Sequence, residues 1–186
     1  MASLAMHWII SDLYLAKHRE DNYDEFLSGA MAPDITGDKM ATHCSYFNKN
    51  DMYVDRLHKK VDIIKFCNTH SINTSFERGY FLHILTDYIF YNSYMANIES
   101  LQNLVDARED VYNDYRILNG YLVKKYGIDM SVLPECGRDR RLGKYKYITN
   151  ESIDNIIQYC SSIDIINAYD RLKMGDVSVI DKKFEN

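Results

Sequence analysis

One long apolar segment, residues 76–95 with the sequence FERGYFLHILTDYIFYNSYM, limits the folds open to this chain more than any other stretch. Thr74, with Glu77 three residues later, forms a capping-box pattern that predicts the start of a helix. At about 100° per residue, large apolar and aromatic side chains cover most of the helix circumference. They are Phe76, Tyr80, Phe81, Leu82, Ile84, Leu85, Tyr88, Ile89, Phe90 and Tyr91. A helix that is apolar on nearly every side is typical of a buried element, so we predict that the fold is built around it.

Two polar side chains interrupt this apolar helix. His83 and Asp87 are four residues apart, so they lie on the same face of a helix. A buried aspartate is normally paired or bound to a metal ion, because leaving it without a partner costs several kcal/mol. Two interpretations follow: His83 and Asp87 bond each other and their neighbours, or they form half of a metal site.

The composition predicts one globular domain spanning residues 1–186. A chain of 186 residues can bury a substantial core, and 46% hydrophobic with 26% charged residues is ordinary for such a protein. A net charge of −5 argues against nucleic acid as the main partner. The local exception is a basic cluster that we interpret as a solvated loop, comprising Arg138, Arg140, Arg141, Lys144 and Lys146.

The cysteines and the N-terminus predict a cytoplasmic protein. The four cysteines, Cys44, Cys67, Cys136 and Cys160, are widely spaced and form no CxxC pair, which favours reduced thiols. Residues 1–20 lack a basic n-region and are typical of an amphipathic helix, not of a signal peptide. No apolar run approaches the roughly 18 residues needed to span a bilayer.

Helical spacing of apolar residues recurs along the whole chain. It predicts helices at residues 3–19, 23–31, 51–70, 74–95, 99–126 and 150–173, with irregular segments at 33–50 and 128–148. The second helix is expected to end at Ala32 because Pro33 follows it. Gly127 supplies a C-terminal stop, and Thr149 or Asn150 an N-cap. The pattern predicts an all-α, bundle-like domain of about six helices.

Candidate metal ligands are present although no standard catalytic motif is. The chain has no HExxH, His-Asp dipeptide, GxSxG, P-loop or GxGxxG. Among its six histidines, His43 lies in the predicted loop and His83 on the apolar helix. Asp34 and Asp87 supply carboxylates in the same two segments. Two imidazoles and two carboxylates suit zinc and also accept iron or manganese.

Three short motifs in the first half of the chain resemble the zinc-dependent phospholipase C family, whose fold is shared with the S1/P1-type nucleases. They are GAMAPD at 29–34, Thr42-His43, and GYFLHILTD at 79–87, and His7 on the first helix also fits the pattern. The resemblance covers residues 4–95, and the HxxxD within an aromatic helix is its most specific part.

The resemblance implies an all-α, phospholipase C/P1 nuclease-like fold and a zinc-dependent hydrolase. It implies that Asp34, His43, His83 and Asp87 bind one metal ion and that His7 contributes to a neighbouring one. Enzymes of this type cleave phosphoesters, phosphodiesters included, with a metal-activated water while the metal ions hold the phosphate oxygens. Asp34 is implied as a ligand or as the base for that water, and the substrate as a small-molecule phosphoester or a phospholipid.

The second half of the chain departs from the family pattern. Members with three metal ions carry two more histidines after the HxxxD helix, whereas this chain has none after His83, and Ser93 stands ten residues on. Asp106 and Asp110 are four residues apart but lie opposite the apolar stripe of their helix, as expected of a solvated face. Trp8 is internal, so it is not an amino-terminal ligand. The first metal site is expected from these residues, whereas the second and third lack part of their ligands.

Three functional hypotheses are consistent with the sequence. The first is a zinc-dependent phosphoester hydrolase centred on Asp34, His43, His83 and Asp87, with His7 at a second metal ion. The second is a non-catalytic protein that keeps one structural metal ion, which the missing downstream histidines favour, because a four-ligand site leaves no open position for water. The third is a helical interaction module in which His83 and Asp87 form a buried hydrogen bond and bind no metal.

Overall fold

The computed structural model describes residues 2–47, 59–95, 107–129, 143–182 and 184. This part of the chain is mostly helical, which confirms the all-α prediction at the level of fold class. The helices are α1 (Leu4–Leu15), α2 (Tyr23–Ile35), α3 (Lys39–Thr42), α4 (Ile63–Thr69), α5 (Ser75–Ile89), α6 (Ala107–Tyr126), α7 (Asn150–Cys160) and α8 (Ile165–Lys173), and the strands are β1 (Ser45–Phe47) and β2 (Lys59–Val61). Among the described helices, none combines the length and the apolarity that crossing a bilayer requires.

Helix α5 forms where the capping pattern predicts it and lies at the centre of the fold. The Thr74 hydroxyl accepts the N–H of Glu77, and the Glu77 carboxylate accepts the N–H of Thr74, which completes the capping box. Most of α5 is buried, and it contacts α1, α2, α4, α7, α8 and β2. From Phe90 to Tyr94 the winding changes to a π-helix, so the predicted span to Met95 is helical but not uniform.

Helices α2 and α5 approach each other closely through two glycines. A Cβ atom built on Gly29 would lie 1.9 Å from the carbonyl oxygen of Phe76, and one built on Gly79 would lie 1.9 Å from that of Phe26. No side chain fits at these distances, so the missing Cβ atoms are what allow the two backbones to meet. The contact fixes the position of α2 against α5 over the turn that precedes His83.

The prediction that the second helix ends at Ala32 is wrong, because α2 continues through Pro33 to Ile35. Proline lacks the N–H that would bond the carbonyl of Gly29, but this removes only one helical hydrogen bond, close to the end of the helix. The preference against helix before proline is a bias, and the packing of α2 on α5 overrides it. The extension places Asp34 in the last turn of α2.

The segment predicted to be irregular at 33–50 contains regular structure in its described part. Its first residues belong to α2, and the carboxylate of Asp38 then caps α3 by accepting the N–H groups of Met40 and Ala41. Strand β1 follows directly after His43 and Cys44. A four-residue helix and a three-residue strand are too short to show a periodic pattern of apolar residues.

The helix predicted at 51–70 is confirmed only over α4. Strand β2 occupies part of the predicted helix and pairs antiparallel with β1, so that Ser45 lies opposite Val61. Asp62 follows the strand, donates its N–H to the carbonyl of Cys44 and caps α4 with its side chain. Strand pairing here overrides the helical spacing of the sequence, and residues 48–58 lie outside the described ranges.

The single helix predicted at 150–173 is two helices, α7 and α8. Asp164 begins α8, because its carboxylate accepts the N–H groups of Ile166 and Asn167. Such a cap competes with continuation of the preceding helix, which ends at Cys160. The N-cap predicted for α7 is confirmed at Thr149, whose side chain accepts the N–H of Ser152.

The remaining predicted boundaries are correct to within a few residues where the structure describes them. Helix α1 ends at Leu15, four residues earlier than predicted, and residues 99–106 of the fifth predicted helix lie outside the described ranges. Gly127 has a φ of 64°, in the left-handed region, and ends α6 as predicted. After the undescribed residues 130–142, the backbone N–H groups of residues 146–148 bond the buried carboxylate of Asp114 on α6.

Replacing Gly79 with alanine is expected to lower the free energy of unfolding by about 2 kcal/mol, although alanine is the better helix former. The added methyl group would meet backbone atoms of Phe26 and Ala30, which cannot rotate away. The control is Gly37→Ala, because a Cβ atom at Gly37 meets nothing within 4 Å. Urea denaturation measures both variants, and equal stability would contradict the close approach of α2 and α5.

Candidate metal centre

The five predicted ligand residues come together from four helices. His7 lies on α1, Asp34 in the last turn of α2, His43 directly after α3, and His83 and Asp87 on successive turns of α5. The side chains of four of them are buried, with an exposed fraction of 1% or less: His7, His43, His83 and Asp87. The side chain of Asp34 is 10% exposed, so Asp34 forms the solvent side of a centre that is otherwise buried.

The nitrogen and oxygen atoms of four of these side chains face one another at short distances. Nε2 of His43 lies 3.1 Å from Nε2 of His83, and Oδ2 of Asp87 lies 3.7 Å from each of those nitrogens. Oδ1 of Asp34 is 3.6 Å from Nε2 of His43. Metal bonds of about 2.0–2.2 Å in a tetrahedral site put neighbouring ligand atoms about 3.3–3.6 Å apart. The donor atoms therefore stand close to the spacing that a metal ion requires.

His7 joins this group from the other side of Asp87. Its Nε2 lies 3.4 Å from Oδ1 of Asp87, and its ring stacks on that of His83 with centroids 3.6 Å apart and planes 10° from parallel. Neither ring nitrogen of His7 has a hydrogen-bond partner among the described residues, although both are buried. An imidazole carries at least one N–H in either protonation state, and no acceptor meets the His7 ring nitrogens at hydrogen-bonding geometry within the described residues.

Two backbone carbonyls fix which nitrogen of each histidine carries the proton. Nδ1 of His83 is 2.7 Å from the carbonyl oxygen of Ala30, and Nδ1 of His43 is 2.9 Å from that of Lys39. A carbonyl only accepts, so each Nδ1 is the N–H, and each neutral ring presents a lone pair at Nε2. Metal-binding histidines are oriented in this way by a bond at the opposite nitrogen. Here the two lone pairs face each other at 3.1 Å, an arrangement that calls for a cation.

The two oxygens of Asp87 have different surroundings. Oδ1 accepts the backbone N–H of Ala2 at 2.7 Å, which holds the carboxylate in place. Oδ2 is buried, faces the Nε2 atoms of His43 and His83, and has no hydrogen-bond partner within the described part of the chain. An ionised carboxylate oxygen in this position is costly to bury unless a positive group meets it.

Burial disfavours the charged forms of these groups, and neighbouring charges and hydrogen bonds set the direction of each pKa shift. Burial lowers the pKa of His83 to about 3, and the nearby His7 ring adds to the effect, so His83 is neutral at neutral pH. Burial acts to raise the pKa of Asp87, but its neighbours, with His7 first and His83 among them, together hold that pKa below its usual value. In the same way His43 and His7 hold the pKa of Asp34 below its usual range. A neutral His83 beside ionised Asp34 and Asp87 has the protonation states in which these side chains bind metals.

The ligand atoms form two groups that share His83. One group is His7, His83 and Asp87, the other is Asp34, His43 and His83, and within each group the donor atoms lie within 4.8 Å of one another. The buried group of His7, His83 and Asp87 can therefore hold a metal ion. Imidazole nitrogen and carboxylate oxygen suit zinc, iron and manganese alike, so the donor set does not choose among these metals.

Other residues considered from the sequence lie away from the centre. Asp110 is exposed and forms an ion pair with Lys146, as the solvated-face interpretation expects, and Asp106 lies outside the described ranges. Cys44 is half-buried, has a φ of 45° and belongs to neither ligand group. Of the basic cluster, Lys144 and Lys146 are exposed, whereas its three arginines at 138, 140 and 141 fall in the undescribed residues 130–142.

Sequence reasoning missed the groups that orient the ligands. The carbonyls of Ala30 and Lys39 and the N–H of Ala2 belong to the backbone, so residue types cannot reveal them. Lys39 precedes His43 by four residues, the spacing of one helical turn, and this was the only local signal. The other two contacts depend on the packing of α2 and of the N-terminus against α5.

Comparison with protein-family models, with curated proteins and with solved structures finds no match to this chain. The phospholipase C-like fold and the hydrolase activity therefore stay proposals. What supports them is the geometry of the centre, together with the order in which its residues occur along the chain.

Protein purified without chelator and dialysed against zinc is expected to contain one or two equivalents of metal by plasma mass spectrometry. The double variant His83→Ala/Asp87→Ala should lose this metal, because both ligand groups share His83. His7→Ala should retain one equivalent if the parent holds two. The control Asp110→Ala should match the parent, since Asp110 is a surface residue paired with Lys146. A parent without metal, with all variants folded by circular dichroism, would contradict a metal centre.

Proposed function

We propose that this chain is a zinc-dependent hydrolase of phosphoesters, of the phospholipase C type. The proposal assigns Asp34, His43, His83 and Asp87 to one metal ion and His7 to a second. The observation that carries it is a set of buried atoms that converge on one point. The Nε2 atoms of His43 and His83 face each other at 3.1 Å, and Oδ2 of Asp87 has no hydrogen-bond partner among the described residues. These atoms are all acceptors, so a metal ion satisfies them better than contacts among themselves do.

Each residue of the centre has a separate role in the proposed reaction. A zinc ion held there would lower the pKa of a bound water and attract the phosphate oxygens. His43 and His83 keep fixed ring orientations through Lys39 and Ala30, so their Nε2 atoms need no reorganisation. Asp34 is the only one of the five with solvent contact, which suits a residue that binds metal or takes the proton from an attacking water.

The solvent side of the centre favours an anionic substrate. Nζ of Lys39 lies 3.3 Å from Oδ1 of Asp34, and its side chain is 49% exposed, so a positive charge stands beside the solvent-facing residue of the centre. Ile35 and Met40 are exposed hydrophobic residues in the same segment. A phosphate group flanked by apolar substituents matches this surface, so the proposed substrate is a small-molecule phosphoester or a phospholipid. The proposed compartment is the cytoplasm, which fits the free thiols of Cys44, Cys67 and Cys160.

The second candidate function is a non-catalytic protein with one structural metal ion. It is favoured by the burial of the centre, since His7, His43, His83 and Asp87 are at most 1% exposed. Structural zinc sites are closed by four protein ligands, whereas catalytic sites keep one position for water or substrate. This candidate predicts bound metal and a metal-dependent stability without turnover. The interaction-module hypothesis, by contrast, predicts no bound metal.

The zinc-loaded protein is expected to hydrolyse bis(4-nitrophenyl) phosphate or phosphatidylcholine in micelles, and chelation should abolish the reaction. Asp34→Asn should lower kcat by about 100-fold or more, because the amide is a poorer ligand and no base. The control is Asp170→Asn, an exposed change on α8 that should leave kcat unchanged. If neither substrate is hydrolysed, although metal is bound and raises the Tm, the result would favour the structural role.

A further inference from the structure

One buried hydroxyl group on α6, that of Tyr115, has no hydrogen-bond partner among the described residues. Buried tyrosine hydroxyls are normally bonded, because an unpartnered one loses its hydration without compensation. Tyr94 shows the ordinary case, since its hydroxyl donates to the carbonyl of Tyr147 at 3.3 Å. The residues so far assigned to the metal centre leave the Tyr115 hydroxyl without a role.

Tyr115 packs on the face of the central helix that carries the metal ligands. His83, Asp87 and Phe90 are spaced by four and three residues, so they form one continuous stripe along that helix. The rings of Phe90 and Tyr115 have centroids 6.0 Å apart. Tyr115 therefore packs against this stripe at Phe90, which follows Asp87 by three residues. Its own helix, α6, also packs on α1, which carries His7.

The surroundings of Tyr115 keep its hydroxyl a hydrogen-bond donor. Burial raises the pKa of Tyr115 well above its usual value, and Tyr91 and Asp87 add to the rise. The phenol therefore stays protonated at any physiological pH.

Most of the buried polar atoms that lack a partner within the described ranges belong to α1, α5 and α6, and α1 contacts both of the other helices. Besides the Tyr115 hydroxyl, both ring nitrogens of His7 and Oδ2 of Asp87 lack partners within the described ranges. The side-chain carbonyl oxygen of Asn119 is a further case, and Asn119 follows Tyr115 by four residues on the same face of α6. Native proteins leave few such groups unsatisfied, so several in one region point to a ligand that satisfies them.

We propose that the Tyr115 hydroxyl donates a hydrogen bond to an oxyanion bound at the centre of His7, His83 and Asp87, with phosphate as its simplest form. The inference rests on the proposed function, which supplies the metal ion and the phosphoester class of substrate. A neutral donor in an apolar surrounding strengthens anion binding without adding charge. Tyr115 is thereby a substrate-binding residue that no sequence motif indicates.

The test replaces only the hydroxyl group, in the variant Tyr115→Phe of the zinc-loaded protein. Isothermal titration with inorganic phosphate is expected to show binding about 10- to 100-fold weaker than in the parent, the effect of losing one hydrogen bond to a charged oxygen. Zinc content should not change. The Tm should stay the same or rise, because the change removes a buried hydroxyl that has no partner in the described structure.

The matched control is Tyr94→Phe, which removes a hydroxyl that does have a partner. It should lower Tm and leave the phosphate affinity unchanged, the opposite pattern to Tyr115→Phe. Equal phosphate affinity in Tyr115→Phe and the parent would overturn the role of Tyr115 and leave the metal centre standing. A fall in the Tm of Tyr115→Phe without a change in its phosphate affinity would also overturn the role of Tyr115. A zinc-loaded parent that binds no phosphate would overturn it as well. A parent that takes up no zinc would overturn the proposed function and this inference together.

Discussion

The backbone contact between α2 and α5 at Gly29 and Gly79 is the constraint on which the candidate centre depends. Ala30 follows Gly29, and His83 lies one turn after Gly79, so the same contact brings the Ala30 carbonyl within 2.7 Å of Nδ1 of His83. A separation of the helices by about 1 Å would break this bond, and the tautomer of His83 would no longer be fixed. The contact also carries Asp34, at the end of α2, to the solvent side of α5. Packing and ligand geometry therefore have one origin.

The electrostatics of the centre decide between a proton and a metal ion as its cation. One proton between the Nε2 atoms of His43 and His83 would satisfy two lone pairs, but it would leave Oδ2 of Asp87 and the His7 ring unpartnered. Each such buried group costs about 1–3 kcal/mol, against a total stability of about 5–15 kcal/mol for a typical domain. A metal ion instead meets nitrogen and oxygen donors together. A metal ion therefore leaves fewer buried groups unsatisfied than a proton does, so metal binding should be coupled to folding.

The sequence predicted the parts of this structure that depend on local signals and on side-chain chemistry. The capping box at Thr74 and the stop at Gly127 follow from residue types and spacing. The convergence of the histidines and aspartates was implied by the resemblance of three short motifs to a known family, not by spacing alone. It failed where tertiary contacts override local preference, as at Pro33 inside α2, or where short strands pair across an intervening segment. The bonds that orient His43 and His83 were invisible for the same reason, because their acceptors are backbone carbonyls.

Residue type alone is misleading about replacement ligands after the HxxxD helix. Carboxylates at a four-residue spacing were the natural candidates, yet Asp110 is on the surface. Tyr115 and Asn119 on α6 have the same spacing, and the buried oxygens of their side chains have no partner among the described residues. A hydroxyl and an amide are weak zinc ligands but good hydrogen-bonding groups. In the proposed centre, one or two metal ions would attract an oxyanion with less positive charge than three metal ions. More of the affinity would then come from hydrogen bonds and from Lys39, which lies beside Asp34.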